Sequence, residues 1–510
     1  MNKLRKIRIA IATFSLLIIT LLFLDFTGTI HDYFAWLAQI QLVPAILALN
    51  IIIIIGLIIL TLLFGRIYCS IICPLGICQD AVSRIATIFH NTKSKKNRFS
   101  FSPAKNILRY IILGLFVIAF IKLGAHNVVA LLDPYSAFGR IVSAFLSPIY
   151  LWSNNILADF AEQADSYAFY KVDIWLQTTT VFAIASITLI AITILAFRNG
   201  RTYCNTICPV GTLLGFVSKI SIYKHRIDTS KCNSCGLCAK NCKASCINTE
   251  TQTVDYSRCV ACFNCIKNCN KNAMLYDRYS KPMVNSIEKN DMKEEQIDTS
   301  LRTSLATVGT IYMNTLLAGS VVGSTVKAQT SAVDGGFIFL ENKIAPNRKT
   351  PIVPPGAKSI RHFHKHCSSC QLCITVCKNN VLKTRDGIVP DMGFERGYCR
   401  PECVKCSEVC PTNAISKITV EEKSSTQIGY AVWIKENCVV LTDDVSCGNC
   451  ERHCPVGAID MIEMRDEDNT YEIPTINTEI CIGCGACEFL CPARPHSAIY
   501  VEGVNMQRIV

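Results

Sequence analysis

Four long apolar stretches occupy the first 200 residues and predict helices that cross a membrane. Residues 9–24, 42–64 and 177–197 carry no charge, and residues 107–123 carry charges only near their two ends. About 20 apolar residues are enough to span a bilayer, and long cationic side chains near helix ends can reach its surface. The pattern therefore predicts a membrane domain of four helices over residues 1–220.

The charges between these stretches predict which way the helices run. Seven Lys and Arg residues lie between residues 66 and 105, whereas the segments after the first and third stretches are acidic, with Asp25, Asp32 and five further acids between residues 133 and 173. Positively charged loops stay on the cytoplasmic side of a bacterial inner membrane. The N-terminus, the middle loop and the segment after residue 197 are therefore predicted to face the cytoplasm.

The composition agrees with a membrane protein and excludes two other classes. Half of the residues are hydrophobic, 18% are charged, and the mean hydropathy is +0.31, which excludes a disordered chain. The net charge is +12, but the basic residues collect beside apolar stretches and form no soluble basic patch. This distribution indicates membrane orientation and no nucleic-acid partner.

A twelve-residue segment occurs twice, each time after an even-numbered apolar stretch. Residues 65–76 (GRIYCSIICPLG) and 200–211 (GRTYCNTICPVG) are identical at eight positions. The repeat predicts two helix pairs related by an axis along the membrane normal, an arrangement that would bring four thiols together. They could hold one shared cofactor, a metal or a cluster; the alternative is two structural turns with buried thiols. These residues are Cys69, Cys73, Cys204 and Cys208.

Beyond residue 230, cysteines recur in six runs of four. Most runs read C-x2-C-x2-C-x3-C; the fourth has one extra residue in its first gap, and the first cysteine of the fifth is displaced. The runs are Cys232, Cys235, Cys238 and Cys242; Cys259, Cys262, Cys265 and Cys269; Cys367, Cys370, Cys373 and Cys377; Cys399, Cys403, Cys406 and Cys410; Cys438, Cys447, Cys450 and Cys454; and Cys481, Cys484, Cys487 and Cys491.

This spacing predicts six [4Fe-4S] clusters. Three closely spaced thiolates wrap one face of a cubane, and the fourth is directed at the neighbouring cluster. Cys269 is thus expected to complete the cluster of the first run, and Cys242 that of the second. Zinc favours two short hooks across a longer gap, and disulfide frameworks belong to small secreted domains, so both are weaker alternatives. We expect a two-cluster ferredoxin at residues 221–280 and a four-cluster ferredoxin at residues 331–510.

The segment between the two ferredoxins, residues 281–330, is predicted to contain a fifth membrane helix. A hydrophilic linker at residues 281–298 precedes an uncharged stretch, rich in small residues, at residues 303–326. A helix of that length covers about 36 Å, enough for a hydrocarbon core of about 30 Å. If it spans, the C-terminal domain is periplasmic. A soluble linker helix and a cleavable export signal ending at Ala328 are the alternatives.

The two repeats with two cysteine runs behind them resemble the NapH family of membrane ferredoxins, which are quinol dehydrogenase modules. Pro354-Pro-Gly-Ala357, Gly397-Tyr-Cys-Arg-Pro-Glu-Cys403 and Cys481-Ile-Gly-Cys-Gly-Ala-Cys487 are similar to the NapG/MauM-type periplasmic polyferredoxin. The chain thus resembles a fusion of both over nearly its whole length. The resemblance implies electron transfer from membrane quinol to a periplasmic reductase or cytochrome.

Analogy with four-cluster ferredoxin subunits also implies how the last four runs share ligands. The first of these runs is expected to exchange its fourth cysteine with the last run, so that Cys377 and Cys491 change places. The two middle runs would exchange Cys410 and Cys454.

A candidate quinol site lies near the outer end of the third apolar stretch. Lys122 and His126 are four residues apart, and Asp133 follows. Quinol oxidation needs titratable groups at the membrane edge, so His126 is the candidate proton acceptor and Asp133 its orienting partner. The alternative is that Lys122 extends to the bilayer surface and His126 sits in the interface.

Two smaller features are not assigned to the clusters by their spacing. His362, His364 and His366 alternate before Cys367; on a strand they would share one face and could bind a metal, but an exposed basic edge is the preferred interpretation. Cys78 and Cys246 match no run and are expected to be spare thiols.

Taken together, the sequence predicts a membrane α-helical bundle of two helix-pair repeats plus a fifth helix, with two α+β ferredoxin units of the bacterial 4Fe-4S type. The predicted function is electron transfer from menaquinol or another quinol, in contact with membrane lipid, to a periplasmic acceptor. The alternative is an accessory ferredoxin that serves maturation of a respiratory metalloenzyme. The predicted location is the cytoplasmic membrane of a bacterium.

Overall fold

The structure is a computed structural model that describes residues 2–93, 99–121, 126–278 apart from 167, 173 and 175, 331–333, 336–338, 343–384, 387–465 and 470–510. Met1–Tyr279 and Lys343–Val510 together form one compact unit, and Ser280–Asn342 form another. The predicted fifth helix at residues 303–326 lies outside the described residues, as do the linker at 281–298 and Lys122.

The N-terminal part of the first unit is a helical bundle. Its elements are α1 (Asn2–Leu24), α2 (Thr29–Phe34), α3 (Trp36–Gln39), α4 (Leu42–Leu47), α5 (Ile51–Phe64), α6 (Tyr68–Ile71), α7 (Pro74–Lys93), α8 (Asn106–Ile121), α9 (His126–Leu132), α10 (Pro134–Ile141), a π-helical turn (Val142–Leu146), α11 (Ser147–Gln163), α12 (Thr179–Asn199), α13 (Thr202–Thr206) and α14 (Pro209–Ser218).

Among the described residues, three helical segments are long and apolar enough to cross a membrane. They are Lys3–Leu24, Pro134–Gln163 and Thr179–Asn199. The first contains the predicted stretch at 9–24, and the third covers the stretch at 177–197 from residue 179 onward. The second is not evident from the sequence because Arg140, Asp159 and Glu162 interrupt its apolar pattern, although Arg140 is buried and donates to the Ala130 carbonyl.

The prediction of one continuous helix over residues 42–64 is wrong. The chain breaks between α4 and α5, where Leu49 has a φ of 53° and the Asn50 side chain caps α5 by accepting from the Ile53 amide. An Asn side chain competes for backbone donors and favours a helix start. The remaining α5 has 14 residues and covers about 21 Å, less than a full bilayer core.

A small fold with two antiparallel strand pairs follows the bundle, and we call its residues 223–278 the inner unit. Strand β1 (Tyr223–Ile227) pairs antiparallel with β4 (Met274–Arg278), and β2 (Ile247–Asn248) pairs with β3 (Thr253–Val254). Helices α15 (Leu237–Lys240) and α16 (Asn264–Lys267) each follow the first cysteines of a run. This repeat of run, turn and helix agrees with the predicted α+β fold.

In the second compact unit, residues 280–342, β5 (Ser331–Val333) and β6 (Gly336–Ile338) form a short antiparallel hairpin.

The C-terminal part of the first compact unit is residues 343–510, which we call the outer unit. It contains α17 (Ile360–His366), α18 (Leu372–Thr375), β7 (Leu382–Lys383), β8 (Asp391–Met392), α19 (Lys405–Val409), α20 (Val420–Ser424), β9 (Thr426–Trp433), α21 (Val439–Thr442), α22 (Asn449–Arg452), β10 (Ile459–Arg465), β11 (Thr470–Ile476), α23 (Ala486–Leu490) and β12 (Ile499–Ile509).

Antiparallel pairing divides the outer unit into two halves. Strands β7 and β8 form a hairpin between the third and fourth cysteine runs, and β10 and β11 form one between the fifth and sixth. The C-terminal β12 returns to pair with β9, with Ile499 opposite Trp433. Each hairpin therefore joins two consecutive runs into one local fold.

The inner and outer units contact opposite ends of α1. Near its start, Arg5 Nε donates to Asn264 Oδ1 of the inner unit at 3.1 Å. Near its end, Phe23 belongs to the same buried cluster as Leu372 and Val376 of the outer unit. One 23-residue helix, about 34 Å long, therefore connects both units.

Helix α12 shows the same arrangement in the reverse direction. The Thr178 hydroxyl, just before its start, lies 3.1 Å from the Thr384 hydroxyl of the outer unit. Just after its end, the Arg201 amide donates to the Lys243 carbonyl of the inner unit at 2.9 Å. The two helices thus run antiparallel between the same two units.

Candidate metal centres

Cysteines of the inner unit line two separate cavities. One is lined by Cys232, Cys235, Cys238 and Cys269. The other is lined by Cys242, Cys259, Cys262 and Cys265. In both, three cysteines of one run are joined by the last cysteine of the other run. The geometry agrees with the exchange that the spacing predicts.

The outer unit also shows exchange of the fourth cysteine, but between neighbouring runs. Cys491 lines a cavity with Cys438, Cys447 and Cys450, and Cys454 lines one with Cys481, Cys484 and Cys487. Likewise, Cys410 packs with Cys367 against one buried cluster and Cys377 packs with Cys399 against another, while Cys373 and Cys406 border both. Neighbouring runs thus share their last cysteines as in the inner unit.

The expected exchange of Cys377 with Cys491, and of Cys410 with Cys454, is therefore wrong. The hairpin between two consecutive runs brings those runs together, β7–β8 for the third and fourth and β10–β11 for the fifth and sixth. The outer unit thus pairs neighbouring runs, the third with the fourth and the fifth with the sixth.

Backbone amides point at the sulfur of the last cysteine in several runs. The Ala273 amide donates to Cys269 Sγ at 3.2 Å, Ala458 to Cys454 Sγ at 3.1 Å, and Ala498 to Cys491 Sγ at 3.3 Å. Such bonds favour a thiolate and are one of the means by which a protein sets a cluster potential. The sulfurs are thus placed in surroundings that suit anionic ligands.

The cavities suit a polynuclear cluster better than one ion. Each of the four defined cavities is lined by at least four cysteines. Within the described ranges, no three His, Cys, Asp or Glu side chains converge closely enough to hold a single metal ion. The cysteine sets therefore fit [4Fe-4S] clusters, which would supply one-electron redox chemistry when bound.

The structure brings together the four cysteines of the two repeats. Cys69, Cys73, Cys204 and Cys208 are all buried, and we call them the quartet. In each repeat a short helix ends before the second cysteine and a proline begins the next helix, giving α6–α7 and α13–α14. The glycine that ends each repeat is required by close packing, because a Cβ on Gly76 would lie 2.3 Å from the Cys69 carbonyl oxygen.

Two buried arginines cross between the repeats at the quartet. Arg66, from the first repeat, places Nη2 3.5 Å from Cys204 Sγ and 3.9 Å from Cys69 Sγ. Arg201, from the second repeat, donates from Nη1 to the Cys69 carbonyl at 2.6 Å. Each repeat therefore holds the cysteine segment of the other, which agrees with a shared site.

Positive charge exceeds negative charge around the quartet. Asp80 forms ion pairs with Arg8, Arg201 and Lys243, at 3.1, 2.8 and 3.4 Å. Arg66 is fully buried and has no carboxylate within 4 Å in the part of the chain that the structure describes. Buried charge is costly unless it is paired, so a negatively charged group at the quartet, such as a thiolate, would stabilise Arg66.

The electrostatics of Asp80 show how strongly this group is held. Burial alone would raise the pKa of the Asp80 carboxyl, but Arg201 and Lys243 outweigh it and hold the pKa well below its usual range. The carboxylate is therefore ionised at any physiological pH, and it fixes three cations from three parts of the chain.

The candidate quinol residues are only partly described. Lys122 and the side chain of His126 lie outside the described residues, although His126 begins α9. Asp133 is buried and caps α10, accepting from the Tyr135 and Ser136 amides and from the Ser136 hydroxyl. Its role as partner of His126 stays a prediction.

Two sequence interpretations change in the structure. Cys246 is no isolated thiol, because its Sγ lies 3.5 Å from Cys242 Sγ and it lines the cavity of the second cysteine set. The four-residue spacing between Cys242 and Cys246 could have indicated that the two thiols lie close together. The three histidines lie on helix α17 and not on a strand, so His362 stacks on His366, with ring centroids 4.2 Å apart, one helical turn away.

Comparison with known proteins supports the cluster assignment at both ends of the chain. The profile of a family described as a 4Fe-4S binding domain matches residues 46–97 and 180–228, which include both repeats. A family described as a 4Fe-4S dicluster domain matches residues 445–494. No solved structure is significantly similar to the chain.

Several curated proteins are similar to part of the chain. The ferredoxin-type protein NapF of Escherichia coli K12 is 30% identical over 151 residues, which are 30% of this chain and 86% of NapF. The methylamine utilization ferredoxin-type protein MauM of Methylobacillus flagellatus is 30% identical over 165 residues, 31% of this chain and 70% of MauM. The ferredoxin-type protein NapG of Escherichia coli K12 is 27% identical over 177 residues, covering 31% of this chain and 74% of NapG.

The cysteine sets, the fold around them and these similarities define an iron-sulfur electron-transfer protein of the ferredoxin class. Within that class, the chain belongs to the family of ferredoxin-type proteins that includes NapF and MauM.

Proposed function

We propose that this protein carries electrons from membrane quinol through its clusters to a periplasmic acceptor, a reductase or cytochrome. The observation that carries the proposal is the contact of the inner and outer units with opposite ends of α1 and α12. Two apolar helices of more than 20 residues, each bounded by a ferredoxin unit at both ends, suit a protein that conducts across a bilayer.

The orientation follows from the charges of the bundle. The positive-inside rule makes the N-terminus and the basic segment between residues 66 and 105 cytoplasmic. Arg5 and Arg66 contact the inner unit, so the inner unit is cytoplasmic in this proposal. The outer unit at the other end of α1 is then periplasmic. This topology matches a fusion of a NapH-type membrane ferredoxin with a NapG/MauM-type polyferredoxin.

In the same proposal the quartet holds a further iron-sulfur cluster. The site is buried, both repeats contribute to it, and the cation surplus around Arg66 favours an anionic group. A cluster ligated by four thiolates carries negative charge and would satisfy that surplus.

His126, Lys122 and Asp133 remain the proposed quinol-site residues. Of these, His126 begins α9 and Asp133 caps α10, and Ala130 of α9 belongs to a buried cluster with Ile388 of the outer unit. In this role His126 would accept a proton from the quinol hydroxyl at the membrane edge, while electrons pass to the clusters.

Menaquinol should reduce the clusters of the purified, oxidised protein under anaerobic conditions. Loss of visible cluster absorbance measures this directly. We expect His126→Gln to slow the reduction, because it removes the proton acceptor, whereas His496→Gln, at an exposed site of the outer unit, should leave the rate unchanged. Clusters that stay oxidised in excess menaquinol would leave the accessory maturation role as the better explanation.

Exposed lysines test the topology without any substitution. A membrane-impermeant amine reagent added to intact spheroplasts should label Lys417 and Lys435 of the outer unit but not Lys267 and Lys271 of the inner unit, with peptides read by mass spectrometry. Inverted vesicles should give the opposite pattern. Equal labelling of both pairs in either preparation would show that the two units share one side.

A further inference from the structure

A continuous buried path connects the inner unit, the quartet and the outer unit. The segment of this path between the inner unit and the quartet is short, because the guanidinium of Arg66 contacts both. Arg66 Nη1 donates to the Ser257 carbonyl at 2.9 Å, two residues before Cys259, while Nη2 contacts the sulfurs of Cys204 and Cys69. A single buried side chain therefore separates the second cysteine set of the inner unit from the quartet.

A second contact joins the same two sites. Lys243 follows Cys242, a member of the same inner set, and its ammonium lies 3.4 Å from Asp80 Oδ1. Asp80 holds Arg201, which donates to the Cys69 carbonyl. Both crossing arginines therefore connect the inner unit to the quartet, Arg66 directly and Arg201 through Asp80.

The outer part of the path runs through the start of α10. Cys73 of the quartet, Tyr135 of α10 and Cys370 of the third run belong to one buried cluster, and the buried Asp133 carboxylate accepts from the Tyr135 amide. Tyr135 is 1% exposed and shares this cluster with Cys370 and with Leu372 of the outer unit. At Gly139 the backbone of α10 approaches so closely that a Cβ would lie 2.6 Å from the Cys370 carbonyl oxygen.

The side chains in the central part of the path are buried. Arg66, Cys69, Cys73, Asp133 and Tyr135 are all at most 4% exposed. Dense, water-free packing between redox centres, held by direct contacts, keeps their separation fixed. These are the conditions that electron exchange between neighbouring centres requires.

We infer that the quartet is a relay that conducts electrons between the inner and outer units, so that a cytoplasmic one-electron donor can reduce the outer clusters without quinol. The inference rests on the proposed cluster at the quartet and on the proposed topology. Each step moves one electron: the donor is oxidised, each centre is reduced and reoxidised in turn, and a periplasmic acceptor is finally reduced. No bond is formed or broken, and no proton is transferred between the centres.

The test uses the full chain in sealed vesicles that contain ferricytochrome c and no quinone. Labelling of Lys267 and Lys271 identifies the vesicle preparation in which the inner unit faces outward. Dithionite, added outside as the impermeant donor, should bleach the inner clusters and then reduce the enclosed cytochrome, which is followed by its absorbance. An uncoupler is present so that the charge moved by the electrons does not build up across the membrane.

Variants of the quartet decide whether the path runs through it. Cys204→Ser should abolish cytochrome reduction while the inner clusters still bleach, and Cys78→Ser, a matched cysteine outside the quartet, should behave like the unmodified protein. Arg66→Lys keeps the charge but loses the bridge to Ser257, and it should slow the cytochrome signal only.

Two outcomes would overturn the relay. One is an unmodified protein whose inner clusters bleach while the enclosed cytochrome stays oxidised. The other is a Cys204→Ser variant that conducts normally. The vesicles contain no quinone, so neither result bears on the quinol proposal, which the menaquinol titration tests separately. Conversely, a protein that menaquinol does not reduce could still conduct electrons through the quartet.

Discussion

Replacing any one of Cys69, Cys73, Cys204 and Cys208 by serine is expected to remove the same cofactor. The four thiols are buried together, and arginines from both repeats hold them, so one missing ligand disables a site that all four share. If each of the six runs and the quartet holds a cubane, the intact protein contains about 28 iron atoms, and every variant should contain about 24. Iron and acid-labile sulfide analysis after anaerobic purification measures the difference.

Cys78→Ser is the control for this series, since Cys78 lies in the same helix as the end of the first repeat but outside the quartet. It should keep the full iron content. Losses confined to the cysteines of one repeat would show that the repeats act separately, and no loss in any variant would favour two structural turns with buried thiols.

Asp80→Asn is expected to destabilise the folded protein strongly. The change keeps the shape of the side chain but leaves Arg8, Arg201 and Lys243 without their shared anion in a buried site. Removing one partner of a buried ion pair typically costs about 3–5 kcal/mol. The free energy of unfolding in detergent, measured by denaturant titration, should fall by about that amount.

Asp277→Asn provides the matched comparison for Asp80. Its partner Arg226 lies 3.1 Å away, but both side chains are more than a third exposed, so solvent screens the pair. Exposed pairs contribute about 0–1 kcal/mol, and this variant should unfold almost like the unmodified protein. Equal effects of the two substitutions would mean that the cations around Asp80 find other partners.

The cysteine sites were largely predictable, because their ligands are local in sequence. Three cysteines of each set come from one short run, and the spacing alone indicates a cubane. The exchange within the inner unit could be predicted because only two runs were available. In the outer unit four runs allow several pairings, and the choice depends on hairpins such as β10–β11 that the spacing does not encode.

The environment of the quartet was not predictable from the repeats. The sequence shows that Arg66 and Arg201 occupy equivalent positions, but not that each reaches into the opposite repeat. Nothing in the sequence marks Asp80 as buried, because a single acidic residue in a basic segment is usually exposed to solvent. The helix break at Leu49 was hidden for a similar reason, since the hydropathy of residues 42–64 stays high through it.

The crossing arginines also bear on how the protein is made. The first repeat leaves the ribosome about 135 residues before the second, and until then Arg66 has neither the Asn205 side chain nor the Cys204 carbonyl to receive its hydrogen bonds. A half-made bundle therefore contains an unsatisfied guanidinium in an apolar setting and an incomplete set of ligands. Insertion of the cofactor proposed for the quartet would have to wait for the complete bundle, and a truncated chain ending between the repeats would be a ready target for quality-control proteases.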